Sequence, residues 1–412
     1  MSTVNVGPAA DLKTGIDWIK AATAKHLAGD DSMAVNGTVK YDPGNYNKPN
    51  NYTNDTIWVP PFAKGLVFDG SGPEGAKSLI VNAPASGIGM PNVKGLPFTG
   101  KMGDKGMIVI GDGAEDTTIR GFEVLWARTL GGSNNGAAIR LDRAKNLTVE
   151  DFIAMHCQNG ILISPDVDDP ATETDERGNV TLRRALLESC GFGGQAHLLY
   201  CGPVASLLAE ESQFLNAIGE GNTFKTRADS NTVTYCTLST GSGYNSWLYD
   251  AEGGYNKLWF NTFQHNPAYS SQPKNGVHIY IWPQSKPVQL DIQWNVFDMR
   301  GKFQGHPILV DPRVTYKGTG AVGLDGQFHK LNANYYLPQT MPDALRDITG
   351  IVDNNTVLIN ADQLNHFGFD PATGKNRMCF TPNDAAYIKQ YGPLPALPNL
   401  IEGPNNRFVV VN

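Results

Sequence analysis

Between about residue 107 and residue 312 the chain is built from short runs in which apolar and polar side chains alternate. This is the pattern of strands with one buried and one solvated face. One set of runs reads TTIRGFEV from Thr117, NLTVEDFI from Asn146, NVTLRRAL from Asn179, LLAEESQF from Leu207, NTVTYCTL from Asn231, NKLWFNTF from Asn256 and LDIQWNVF from Leu290. A second set follows at a similar offset: AAIRLD from Ala137, NGILIS from Asn159, AHLLYC from Ala196, NTFKTRA from Asn222, NSWLYDA from Asn245, GVHIYIW from Gly276 and HPILVD from His306. Two strand columns, repeated in this way, predict stacked coils, because a unit so small cannot bury its own apolar face without a neighbour above and below. A leucine-rich solenoid would carry a denser Leu pattern with an Asn ladder at fixed spacing, and a propeller blade would need four strands in about 40 to 50 residues. Neither fits.

The ends read as closures. From Ala9 to Leu27, the positions Leu12, Ile16, Ile19 and Leu27 share one helical face, which predicts a short amphipathic helix covering the open end of the stack. GTVKYDPGNYN from Gly37 and GLVFDGSG from Gly65 read as first, irregular turns, and beyond about Val314 the period is lost in a stretch rich in Pro, Asn and Asp. The expected division is a capping region over 1–36, a parallel solenoid over 37–313 and a C-terminal cap and tail over 314–412.

Composition narrows the function classes. The 45 glycines and a charged fraction of 18% fit many short strands joined by turns, while 41% hydrophobic residues exclude a disordered chain. A net charge of −7 without a basic tract argues against a nucleic-acid partner. There is no apolar run of transmembrane length, so no membrane span is expected. The start is not signal-like, and an extracellular or virion-surface protein is expected whose signal has been removed, whose export follows another route, or which belongs to a particle such as a phage tail. The five cysteines, Cys157, Cys190, Cys201, Cys236 and Cys379, lack CxxC spacing, and the four that fall in the repeat read as small apolar members of core stacks. Asn146-Leu-Thr and Asn179-Val-Thr lie within repeat strands and are read as repeat chemistry.

The repeat, together with His197 and Tyr200 in AHLLYC and Lys225, Arg227 and Ala228 in FKTRA, resembles the pectate-lyase-like superfamily of right-handed parallel β-helices, over most of residues 37–312. The resemblance implies an all-β parallel β-helix and work on a polysaccharide. It leaves the reaction open, since that superfamily holds lyases, hydrolases, epimerases and viral tailspikes.

Outward side chains of successive coils stack about 4.8 Å apart, and a row of them matches an extended sugar chain. Alternation puts Phe224, Thr226 and Ala228 inside and Lys225, Arg227 and Asp229 outside. It likewise puts Val277, Ile279 and Ile281 inside and His278, Tyr280 and Trp282 outside. Registering the neighbouring strands places Tyr200 and Tyr249 near Lys225, although a slip of one residue would reverse them. For β-elimination on a uronate, Arg227 would neutralise the carboxylate, and Lys225, its pKa lowered by the guanidinium, or Tyr200 would be the base. His197 reads either as a site residue or as a core histidine. Tyr249, His278, Tyr280, Trp282 and Asp229 would line the substrate groove, with aromatic faces against sugar C–H faces.

A hydrolase would need paired carboxylates, for which Asp250 and Glu252, two apart on one strand, are candidates along with Glu220 and Asp229. A glycan-binding tailspike or adhesin, the kind of protein that often forms homotrimers, is the non-catalytic alternative. No cofactor is expected. The acidic loop Ser164 to Glu176 lacks EF-hand spacing, so it is only a weak candidate for Ca²⁺.

Overall fold

The computed structural model describes, in the main, residues 63–81, 106–111, 114–127, 136–142, 144–164, 178–192, 194–219, 221–240, 247–265, 276–281, 287–300, 306–312, 348–361, 375–380 and 400–411, with shorter stretches near the N terminus at 3–6, 38–41, 44–45 and 57–59. These residues form a parallel β-helix. Three sheets of twelve, eleven and ten strands run along its axis, and within each sheet the interior strands pair with their counterparts in the coils above and below. The winding is right-handed, as crossovers between parallel strands are.

The second set of repeat runs forms one sheet, called here the third, with strands at Ala137–Asp142, Asn159–Ser164, Leu199–Cys201, Phe224–Thr226, Tyr249–Glu252, Val277–Ile281 and Ile308–Pro312. Each run of the first set is two strands. NKLWFNTF, for example, divides into Tyr255–Trp259 in the first sheet and Thr262–Gln264 in the second. The chain turns between them at one residue with positive φ, and the same corner recurs at Gly121, Asp151, Arg184, Glu211, Tyr235, Phe260, Trp294 and Asn354. Only the first of these is a glycine, so most of these corners hide inside apparently continuous strands.

A non-glycine residue in this conformation costs roughly 1–2 kcal/mol. Toward the C terminus, a ladder of asparagines, buried at Asn261, Asn295 and Asn355 and half-buried at Asn406, offsets that cost. The Oδ1 atoms of Asn261, Asn295, Asn355 and Asn406 accept the backbone N–H of Cys236, Asn261, Asn295 and Asn355, at 2.9, 2.9, 3.0 and 3.1 Å. Such a ladder was not expected from the repeat. It supplies buried partners to backbone groups that a turn would otherwise leave unpaired.

The core is a column of aliphatic and aromatic side chains in which like stacks on like: Phe263 on Phe297 at 4.8 Å and Phe224 on Tyr249 at 5.3 Å. All five cysteines are free and buried in it, and burial pushes the Cys236 thiol up to about 12, which keeps it inert. The stack also runs past residue 313. After a long insertion, Thr349–Asp353 pairs with Gln289–Gln293, and Leu400–Glu402 pairs with Thr349–Asp353 in turn. That insertion broke the period and hid the later coils. The predicted helix from Ala9 to Leu27 lies largely outside the described residues. Among the described residues no helix is long and apolar enough to cross a membrane.

Candidate active site

The outer face of the third sheet gathers most of the residues singled out from the sequence. Tyr200, Lys225, Asp250 and His278 occupy equivalent positions in four successive coils, and two residues further on Glu252 lies beside Tyr280. The expected inward set, Phe224, Thr226 and Ala228, is buried, with Lys225 and Arg227 outward.

Two ion pairs tie the cations to carboxylates of the next coil. Arg227 Nε lies 3.2 Å from Glu252 Oε2, and Lys225 Nζ lies 3.9 Å from Asp250 Oδ2. Both cations also reach the ring of Tyr200, with the Lys225 Nζ and Arg227 Cζ each 5.8 Å from its centroid. The carboxylates have further partners. Asp250, its side chain only 4% exposed, faces His278 Nδ1 at 2.7 Å through Oδ1 and accepts from Asn222 Nδ2 at 2.7 Å through Oδ2. Glu252 accepts from the hydroxyl of Tyr280 at 3.2 Å.

Several expected positions are corrected. Tyr249 lies in the core, not in the groove: it pairs with Phe224, is fully buried, and donates its hydroxyl to Asn256 Oδ1 at 2.6 Å. The strand is shifted by one residue, which gives the place beside Lys225 to Asp250. A tyrosine fits inside because Asn256 supplies the buried partner its hydroxyl requires. His278 and Tyr280 point outward as expected but are buried, at 0% and 3% exposure. Trp247 stacks on His278 at 4.4 Å, so these two rings support the carboxylates in place of lining an open groove. Asp229 stands in the corner after the strand, its carbonyl accepting from Tyr255 N at 2.9 Å. Trp282, Glu220 and the acidic loop after Ser164 lie outside the described residues.

His197 is a buried histidine beneath the site. Its Nδ1 accepts the backbone N–H of Asn222 at 2.8 Å, and its ring stacks on Tyr200 at 5.7 Å. Burial, reinforced by the charge of Lys225, lowers its pKa to about 3, so the ring is neutral and cannot use Nδ1 as a base. Burial also pushes the Tyr200 phenol up, against the opposing pull of Arg227, and so keeps it protonated. Sequence reasoning missed Asn222 and Trp247. Asn222 links the two halves of the site, since it contacts His197 through its backbone and Asp250 through its side chain, and its Oδ1 accepts the Trp247 backbone N–H at 3.2 Å. Its signal was the Asn that opens NTFKTRA, as Asn159 opens NGILIS and accepts the His197 N–H at 2.8 Å.

The depressed pKa has a consequence for stability. Because folding lowers the His197 pKa below its unfolded value of about 6.5, its contribution is fully present above that pH. It is lost as pH falls from about 6.5 toward 3. Urea midpoints measured between pH 7 and pH 4 fall with acid in the wild type, and His197→Gln flattens that fall. An equal slope in both proteins contradicts this assignment.

Among the described residues no group of three or more His, Cys, Asp or Glu side chains converges to hold a metal ion. No family model and no curated protein matches the chain. Among solved structures it is similar to the A-module of the Azotobacter vinelandii mannuronan C-5 epimerase AlgE4. That match has 12% identity and a TM-score of 0.41, and covers 95% of this chain and 92% of the other. The A-module of the AlgE6 epimerase of the same organism matches at 14% identity and a TM-score of 0.31, covering 96% and 95%. The catalytic domain of a GH87 α-1,3-glucanase, in complex with tetrasaccharides, matches at 10% identity and a TM-score of 0.34, covering 93% and 66%. Likenesses of this size carry no argument about what this chain does.

Proposed function

We propose that the protein is a polysaccharide lyase that cleaves a uronate-containing chain by β-elimination on the outer face of the third sheet. The observation that carries this reading is the pair of cations, Lys225 and Arg227, against the ring of Tyr200, while each nearby carboxylate is engaged both by its cation and by further partners, Asp250 by His278 and Asn222 and Glu252 by Tyr280. An elimination needs a cation against the substrate carboxylate, a group to take the proton from the adjacent carbon, and a proton for the departing glycosidic oxygen. Arg227, its side chain 40% exposed, is the group placed to pair with a carboxylate through its planar fork. Lys225, once it has given up its own proton to solvent, removes the C5 proton, the C4–O bond breaks as the C4–C5 double bond forms, and the protonated Tyr200 gives its proton to the leaving oxygen.

The hydrolase reading fits less well. It requires one protonated and one free carboxyl group facing the scissile bond, whereas Asp250 is buried between His278 and Asn222, and Glu252 is engaged by Arg227 and Tyr280. The test is a substrate whose carboxylates have been reduced to primary alcohols. Turnover is expected on the native uronate polymer and not on its reduced form, because without the carboxyl group the C5 proton is not acidic. Equal turnover on both rules out elimination.

A further inference from the structure

In three successive coils the corner between the first and second sheets is an exposed aromatic: Tyr235, Phe260 and Trp294, at 62%, 43% and 41% exposure. The rings stack on one another, Tyr235 on Phe260 at 5.2 Å and 3° and Phe260 on Trp294 at 5.1 Å and 10°. Trp259 meets both Phe260 and Trp294 edge-on. All three corner residues hold positive φ, a conformation in which a bulky side chain is an outlier. Elsewhere the position is taken by Gly121, Asp151, Arg184, Glu211 and Asn354. An exposed aromatic row on strained backbone adds nothing to the core and points to a ligand.

The charges beside this row differ from those on the rest of the first sheet. Arg120 pairs with Asp69 at 2.8 Å, Arg183 with Glu210 at 2.9 Å, and Arg184 with Asp151 at 2.8 Å. Next to the aromatics, Asp291 is instead occupied by the Trp259 Nε1–H at 2.9 Å and by Gln293 Nε2 at 2.7 Å. Lys257 Nζ lies 3.7 Å from the centre of the Trp259 ring and, among the described residues, has no carboxylate within ion-pair distance. Flat apolar faces, fixed hydrogen-bonding groups and a cation without a carboxylate partner are complementary to a sugar chain that carries carboxylates. The row also sits on the same coils as the candidate active site: the chain passes from Phe224–Thr226 to Ser230–Thr234 and Tyr235, from Tyr249–Glu252 to Tyr255–Trp259 and Phe260, and from Val277–Ile281 to Gln289–Gln293 and Trp294.

We infer that Tyr235, Phe260 and Trp294, together with Lys257, form a second binding surface for an acidic polysaccharide, one sheet away from the site that acts on it. The inference rests on the proposed reading of the substrate. A chain held at both surfaces remains at high effective concentration near Arg227 after each cleavage.

The test combines Tyr235→Asn, Phe260→Asn and Trp294→Asn, since asparagine tolerates the left-handed corner, with circular dichroism to verify the fold. Retardation is read in gels cast with polygalacturonate, alginate or hyaluronan, against dextran. The expected result is retardation of the wild type by at least one acidic polymer and about tenfold or more weaker retention of the variant. Turnover of an oligosaccharide too short to span both surfaces is unchanged. Equal retention of the two proteins overturns the inference, as does no retention of the wild type by any of the three polymers. A wild type that sediments as an oligomer, with a monomeric variant of unchanged retention, overturns it in favour of a second copy of the chain. Cleavage by the wild type with equal retention sinks this inference alone, while aromatic-dependent retention without cleavage of any uronate polymer sinks the lyase reading alone.

Discussion

Arg227→Ala lowers turnover on a uronate polymer by roughly 10²–10³-fold, the usual effect of deleting one preorganised electrostatic partner of developing charge. The guanidinium is the group best placed to meet a substrate carboxylate, because it stands at the outer end of the site and is 40% exposed. The same exposure means that its ion pair with Glu252 adds little to stability. After the substitution Glu252 keeps the hydrogen bond from Tyr280, so the thermal midpoint stays close to that of the wild type. Steady-state kinetics and a thermal melt on the same preparation check both halves. A large fall in the midpoint with turnover retained would make Arg227 a structural residue and remove the neutralising group from the mechanism.

Asn295→Ala destabilises the fold by about 3–5 kcal/mol, because several buried groups lose their partners in one step. The Asn295 amide donates to the carbonyls of Leu258 and Gln293 at 2.7 and 3.0 Å, and its Oδ1 accepts from the Asn261 backbone and side chain at 2.9 and 3.0 Å. Asn261, Asn295 and Asn355 are all buried, so the groups left behind lose their partners away from bulk solvent. The left-handed corners at Phe260 and Trp294 are held by the same bonds and lose their support together. Chemical denaturation measures the effect. A loss below about 1 kcal/mol would show that the ladder contributes less than its geometry implies.

The fold was legible because a half-buried strand repeats with a period of two, and runs such as NLTVEDFI and NVTLRRAL showed that alternation in register. Division of the remaining runs into two sheets was not legible, because it depends on one backbone angle at corners where the sequence offers Arg184, Glu211 or Trp294 instead of glycine. In the site, Lys225 and Arg227 could be placed because Phe224, Thr226 and Ala228 fixed which face was inside. Tyr249 could not, since Leu248 and Tyr249 are both apolar enough for the core and only the hidden partner Asn256 decides which register holds. His278 and Tyr280 show a related limit. Alternation gives the direction of a side chain but not what covers it, and Trp247 comes from the segment leading into a neighbouring strand. The aromatic corners were within view, as the fifth letter of NTVTYCTL, NKLWFNTF and LDIQWNVF. Their meaning depended on knowing that this letter is a turn.

Elimination is tested most directly by incubating the purified protein with a panel of uronate-containing and neutral polysaccharides while following near-ultraviolet absorbance and reducing ends together. Both signals rising in step on a uronate polymer is the predicted result, because each cleavage creates one reducing end and one conjugated double bond. Reducing ends that appear without absorbance would contradict elimination and turn attention to Asp250 and Glu252.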